Sequence, residues 1–141
     1  MTVERIIPNL FITNAETLLS LETNHKFDEV VSLSHRTHLG LGESDPSTTG
    51  DRFVFPDGPH EYAVFEAAVD YTIECLEQDR TTLVHCQAGV SRSAGVCAAA
   101  IATRHDLSPE QALAKVKDVR SSVNPTEEVW ESTVRYISGE K

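Results

Sequence analysis

The stretch from Thr82 to Arg104 limits what this chain can fold into more than any other. Thr82-Leu83-Val84-His85 is apolar and β-rich without clean alternation, the pattern of a strand covered on both faces. Ser93 to Arg104 is alanine-rich and apolar nearly all round, which predicts a buried helix whose small side chains allow close approach to a sheet. Cys86 to Arg92 must turn the chain from one to the other. A covered strand feeding a covered helix calls for helices stacked on a sheet.

The rest of the pattern agrees. Strand-length apolar runs occur at Leu10-Phe11-Ile12, Glu29-Val30-Val31-Ser32-Leu33 and Arg52-Phe53-Val54-Phe55. Between Pro59 and Gln78, Tyr62, Phe65, Val69, Ile73 and Leu76 fall three or four apart, on one helical face. Ser108-Pro109-Glu110-Gln111 reads as a capping box with proline at the first helical position. Asn124-Pro125-Thr126-Glu127 repeats that logic with Asn124 as the cap, and Trp130, Val134 and Ile137 form the expected inward stripe of the last helix. Residues 40–51, rich in Gly, Ser, Thr, Asp and Pro, read as a surface loop. At 141 residues, with no internal repeat, a single α/β domain over residues 1–141 is expected.

Charge and cysteine content narrow the function. The net charge of −10, with only four lysines among 12 basic residues, argues against nucleic-acid or anionic-membrane partners. An acidic, lysine-poor surface also fits a salt-loving cell, an expectation that fails if added salt does not raise the unfolding midpoint. The longest apolar stretch, Val96 to Ala102, is too short to span a bilayer. The opening Met1-Thr2-Val3-Glu4-Arg5 lacks a signal-peptide pattern, so a cytoplasmic location is expected. Three cysteines, Cys75, Cys86 and Cys97, with no CxxC pair, suit a reducing compartment and a free thiol.

The chemistry concentrates in His85-Cys86-Gln87-Ala88-Gly89-Val90-Ser91-Arg92-Ser93. A tight loop ending at a helix N-terminus points several backbone N–H groups into one concavity, and the helix dipole adds positive charge there. Gly89 allows a backbone conformation that a Cβ would forbid. The Arg92 fork can hold two phosphate oxygens at once. Helix N-termini and neighbouring cations favour a thiolate, so Cys86 is expected to be a poised in-line nucleophile. Ser93 can hydrogen-bond the sulfur and help it leave. His85 is expected to orient the loop, with its side chain turned inward. The leaving oxygen needs a proton, and Asp57, in Phe55-Pro56-Asp57-Gly58-Pro59, is the leading carboxyl donor. Plain turn chemistry also explains an aspartate there, and Asp51, Glu61 and Glu43 are its rivals.

This segment resembles the Cys-x5-Arg signature loop of protein tyrosine phosphatases, and its His-Cys-x-Ala-Gly-x-Ser-Arg-Ser form resembles the dual-specificity branch. Asp57 stands 29 residues before Cys86, close to where that family keeps its general acid. Ile7-Pro8-Asn9-Leu10-Phe11-Ile12, Val30-Val31-Ser32-Leu33, Arg120 and Asn124-Pro125 extend the resemblance over most of the chain. It implies a central mixed sheet of four to five strands, about six helices, and the signature loop between a central strand and a buried helix. It implies a two-step reaction through phosphocysteine with no metal or other cofactor. The implied pocket is shallow enough for phosphoserine and phosphothreonine as well as phosphotyrosine. The phosphate-binding loop would be Gln87 to Arg92, with Asn124 steadying it. The loop at residues 39–50 has no family counterpart, which leaves the pocket rim open.

Other readings carry specific signals. A phosphatase for a phosphoinositide, an RNA 5′ end or a glycan is one, although lipid-directed relatives tend to carry lysines inside the loop and this chain has none there. A non-catalytic module that captures phosphorylated motifs would usually lack Cys86. A low-molecular-weight arsenate reductase would place the loop near its N-terminus and the acid downstream. Cys75 and Cys97 are core residues or, alternatively, redox partners of Cys86. His35 and His38 could start a zinc site, but further ligands are lacking nearby and a solvated loop accounts for them. Phosphorylated proteins are the expected partners, and nothing demands more than a monomer.

Overall fold

The computed structural model describes residues 3–21, 27–34 and 53–139. Among them are strands β1 (Glu4–Ile7), β2 (Leu10–Asn14), β3 (Glu29–Ser32) and β4 (Thr82–Cys86). The helices are α1 (Ala15–Leu21), α2 (Tyr62–Glu77), α3 (Arg92–His105), α4 (Pro109–Val119) and α5 (Glu127–Ser138). The sheet order is β1-β2-β4-β3. β1 and β2 form an antiparallel hairpin, and β2 and β3 both run parallel to β4. The sheet is therefore mixed, and its parallel strands end together, with Asn14 beside Cys86 and Ser32 beside His85. Open α/β sheets bind ligands at that carboxyl edge.

β4 lies inside the sheet, and all five of its residues are buried. Alternate residues face opposite ways along a strand. Leu83 joins Val30 and Leu18 in a small cluster with Phe11 and Phe27 against α1. Val84 joins Leu10, Ile12 and Val31 in the main core with residues of α2 to α5. Every residue of α3 from Ser93 to Ala102 is buried. Close approach is built in at Gly95, where a Cβ would stand 2.5 Å from Val129 Cγ1 and 2.8 Å from Thr133 Oγ1.

Four local expectations change. Phe53 to Phe55 lie outside the sheet, although Phe53 and Phe55 are buried. Phe55 N–H donates to the Leu33 carbonyl at 3.4 Å, but the Phe55 carbonyl accepts from Arg92 instead of a neighbouring strand. The hairpin strand β1 went unread, its turn at Pro8-Asn9 made by Asn9 at φ 72°. Asn124 is not the cap of α5. Thr126 is, its Oγ1 accepting from Val129 N–H, while Asn124 N–H donates to the Val90 carbonyl at 2.7 Å. Finally, α5 buries Val129, Ser132 and Thr133, because these meet α3 across Gly95. Trp130 and Ile137 are half-buried, and Val134 is exposed. The Ser108 capping box is present in full, with Pro109 opening α4. No helix among the described residues is long and apolar enough to cross a membrane.

Candidate active site

The chain leaves β4 at Cys86 and enters α3 at Arg92, so Gln87 to Ser91 turn at the carboxyl edge of the sheet. Ser91 precedes the helix without a side-chain bond into its first turn. Helix-start N–H groups left in this way are ready partners for an anion. Cys86 is only 2% exposed. Its sulfur lies 3.1 Å from Ser93 Oγ, and the Ser93 N–H donates to it at 3.4 Å. His85 is fully buried, with Nε2 2.9 Å from Ser32 Oγ. These contacts follow from the register, which lays Ser32 beside His85, and from Ser93 being the second residue of α3.

Arg92 is held by the chain just beyond β3 and by the segment that leads to Asp57. Its Nη1 donates to the carbonyls of Phe55 at 2.8 Å and Leu33 at 3.3 Å. Its Nε is buried with no hydrogen-bond partner among the described residues. A buried guanidinium N–H without an acceptor is costly, and an oxyanion in the loop would remove that cost.

The loop is shaped from behind by Arg120. That side chain is 9% exposed and donates from Nε to the Gly89 carbonyl at 2.8 Å and from Nη2 to the Ala88 carbonyl at 3.2 Å. Its Nη1 pairs with Glu4 Oε1 of β1 at 2.6 Å. Drawing these carbonyls outward leaves the neighbouring N–H groups free to face inward. Gly89 has φ +69°, and a Cβ there would sit 2.7 Å from Arg120 Nη2 and 2.8 Å from the Thr13 carbonyl. Glycine is required twice over, by conformation and by space.

Asp57 reaches the same loop from across the opening. Its Oδ1 accepts from Ser91 Oγ at 2.6 Å and from Thr126 Oγ1 at 3.3 Å. Thr126 N–H donates to Ser91 Oγ at 2.9 Å, which turns the Ser91 hydroxyl hydrogen toward Asp57. Asp57, Cys86, Gln87, Ala88, Val90 and Arg92 line one cavity of about 450 Å³ with Ser91, Asn124 and Thr126. Glu61 precedes α2 and does not line it. Asp51, Glu43, His35 and His38 lie outside the described residues. A larger groove of about 650 Å³ runs between His60 and α5 but holds none of the loop residues.

A family profile described as "Dual specificity phosphatase, catalytic domain" matches residues 10–138. The chain belongs to the dual specificity phosphatase family. It is 31% identical to dual specificity protein phosphatase 22 of Xenopus tropicalis over 130 residues, covering 87% of this chain and 59% of that protein. It thus spans well under two thirds of that relative's length. Among solved structures, a mouse dual specificity phosphatase complexed with zinc tungstate aligns with TM-score 0.79 and 26% identity, over 97% of this chain and 87% of the other. Human DUSP28 aligns with TM-score 0.80 and 25% identity, over 97% and 93%.

Within this dual specificity phosphatase fold, the residues read from the sequence at the loop lie together, and Asp57 joins them. Asn124 contributes its backbone where a cap had been expected. Thr126, His60 and the Ser91–Asp57 bond were not foreseen. Thr126 was hidden by the better-looking cap two residues before it. His60 sits in no recognisable motif, and its partner Ser132 is 72 residues away. The three cysteines are free and buried. Burial pushes the Cys97 thiol up, with nearby Cys86 adding to it, and burial also raises Cys75. Both stay protonated, which gives neither the character of a reactive thiol.

Proposed function

We propose that this protein removes phosphate from phosphotyrosine, phosphoserine and phosphothreonine in proteins, through a phosphocysteine intermediate. The observation that carries the reading is the placement of the Cys86 sulfur. It sits at the floor of the cavity, beneath the start of α3, with two Ser93 contacts on it and with Arg92, whose Nε has no partner among the described residues, in the same lining.

In the first step the Cys86 thiolate attacks phosphorus in line. The S–P bond forms as the bond to the leaving oxygen breaks, and Asp57 delivers its proton to that oxygen. Arg92 and the loop N–H groups hold the equatorial oxygens, whose charge must be matched in the transition state. In the second step Asp57, now a carboxylate, takes a proton from water. The water oxygen attacks phosphorus, the S–P bond breaks, and the sulfur leaves as a thiolate that accepts the Ser93 O–H. Asp57 is tethered through Oδ1, which leaves Oδ2 as the oxygen that carries the transferred proton. The absence of lysine inside Gln87–Ser91 supports protein substrates over inositol lipids. Phosphorylated proteins are then the partners of a monomer in a reducing, cytoplasmic setting.

The test is phosphate release from an aryl phosphate by wild type and Cys86→Ser, with a chelator present. Chelator-resistant turnover that vanishes in Cys86→Ser is the expected result. A wild type inactive from mildly acidic to neutral pH, at low and high salt, would sink the reading.

A further inference from the structure

His60 lies outside the phosphate loop and outside every motif, yet both of its ring nitrogens are engaged. Nδ1 is 2.6 Å from the Gly58 carbonyl, and Nε2 is 2.7 Å from Ser132 Oγ. A carbonyl can only accept, so Nδ1 carries the hydrogen. In the neutral ring Nε2 is then the acceptor, and Ser132 donates to it. The ring is held from below by Phe55 and Phe65, with centroids 4.9 Å and 6.1 Å away. Ser132 is 6% exposed and fixed on the buried face of α5.

Gly58 is the residue after Asp57. The contact therefore ties the segment that carries the acid to a rigid helix. The same helix is capped by Thr126, whose hydroxyl donates to the Asp57 carboxylate. The turn is thus attached to α5 twice, at its carboxylate and at the next peptide carbonyl. General acid catalysis needs the donor within hydrogen-bond reach of the leaving oxygen. An exposed turn anchored at the carboxylate alone would be free to swing. We propose that His60 and Ser132 form a clasp that positions Asp57 for proton transfer.

The clasp rests on the phosphatase reading and specifies how its acid is held. His60 and Ser132 do not line the cavity at the loop, so both are positioning residues. Losing the clasp lowers the fraction of time Asp57 is in reach, and misplacement of about 1 Å can cost ~10²-fold. The loss must depend on the leaving group, because good leaving groups need no proton.

The experiment compares phenyl phosphate, a poor leaving group, with p-nitrophenyl phosphate, a good one. His60→Ala is expected to lose ~10-fold or more in kcat on the phenyl ester, with little change on the nitrophenyl ester and unchanged vanadate affinity. Ser132→Ala is expected to fall the same way by less. His60→Asn, which keeps an N–H near the Nδ1 position, is expected to recover part of the loss. In an Asp57→Asn background His60→Ala should add no further loss. Equal losses on both esters, or a His60→Ala effect that persists without Asp57, would overturn the clasp. Should His60→Ala fail to fold, Ser132→Ala, which deletes one hydroxyl, decides the matter by the same criteria. A wild type that turns over neither ester overturns the phosphatase reading and the clasp with it. Turnover with Asp57-dependent leaving-group sensitivity that His60→Ala and Ser132→Ala leave intact overturns the clasp alone.

Discussion

Arg120→Met asks whether the Gln87–Arg92 loop is self-supporting or is held in shape from behind. Methionine fills much of the volume but donates nothing, so the contacts to the Gly89 and Ala88 carbonyls and to Glu4 vanish. Ala88 is exposed, and water can replace its lost donor. Gly89 is buried, so its carbonyl is left unsatisfied, at about 1–3 kcal/mol. Glu4 loses its cation while only 17% exposed. Breaking a fully buried pair costs about 3–5 kcal/mol, and partial hydration brings Glu4 below that range. The sum is about 3–5 kcal/mol, a large part of the roughly 5–15 kcal/mol that holds a typical domain. At this chain length that is a fall in Tm of about 10–17 °C. Differential scanning calorimetry measures it, and vanadate titration reads the loop. The carbonyls of residues 88 and 89 would be free to turn inward against an anion, so affinity should fall ~10-fold or more, the equivalent of about 1.4 kcal/mol. A destabilised variant that binds vanadate like wild type would refute the argument, leaving Arg120 as a brace for β1 alone.

Two further perturbations test the frame. Gly95→Ala would gain about 1 kcal/mol from helix propensity, but the new Cβ meets Val129 and Thr133 at 2.5 and 2.8 Å. Overpacking at about 1–3 kcal/mol should win, lowering the urea midpoint, whereas a raised midpoint would show that α5 can yield. Asp28 accepts from the Thr81 N–H and hydroxyl at the start of β3, and these bonds hold its carboxyl below the usual aspartate value of 3.8. A depressed folded-state pKa contributes stability above the unfolded value that is lost as pH falls through the folded one. The stability gap between wild type and Asp28→Asn should therefore be full at pH 7 and shrink below pH 3.8, and urea titrations across that range should show it.

Much of the scaffold was legible because its signals are local. β4 and α3 announce themselves by being apolar on every side, and the Ser108 capping box is spelled out within four residues. The chemistry-bearing loop was legible for the same reason, since Cys86, Arg92 and Ser93 lie within one short segment. Errors came where a local pattern competed with a distant partner. Phe53 to Phe55 belongs to an apolar, aromatic and β-branched run of strand length, but Arg92, 37 residues away, takes the Phe55 carbonyl. Asn124-Pro125 looks like a helix start, but Val90 claims the Asn124 N–H and the helix waits for Thr126. Trp130 and Val134 look like a core stripe, but Gly95 draws Val129 and Thr133 inward instead.

The sequence alone therefore determined the Cys86–Arg92 loop with its flanking strand and helix, and the start of α4, because period, capping and turn chemistry act over a few residues. Tertiary structure alone decided what holds that loop and the Asp57 turn beside it. Glu4 meets Arg120 across 116 residues, Thr126 meets Asp57 across 69, and Ser132 meets His60 across 72. Such contacts leave no periodic trace. They arise only once the core has brought β1, the Asp57 turn and α5 to the same edge of the sheet.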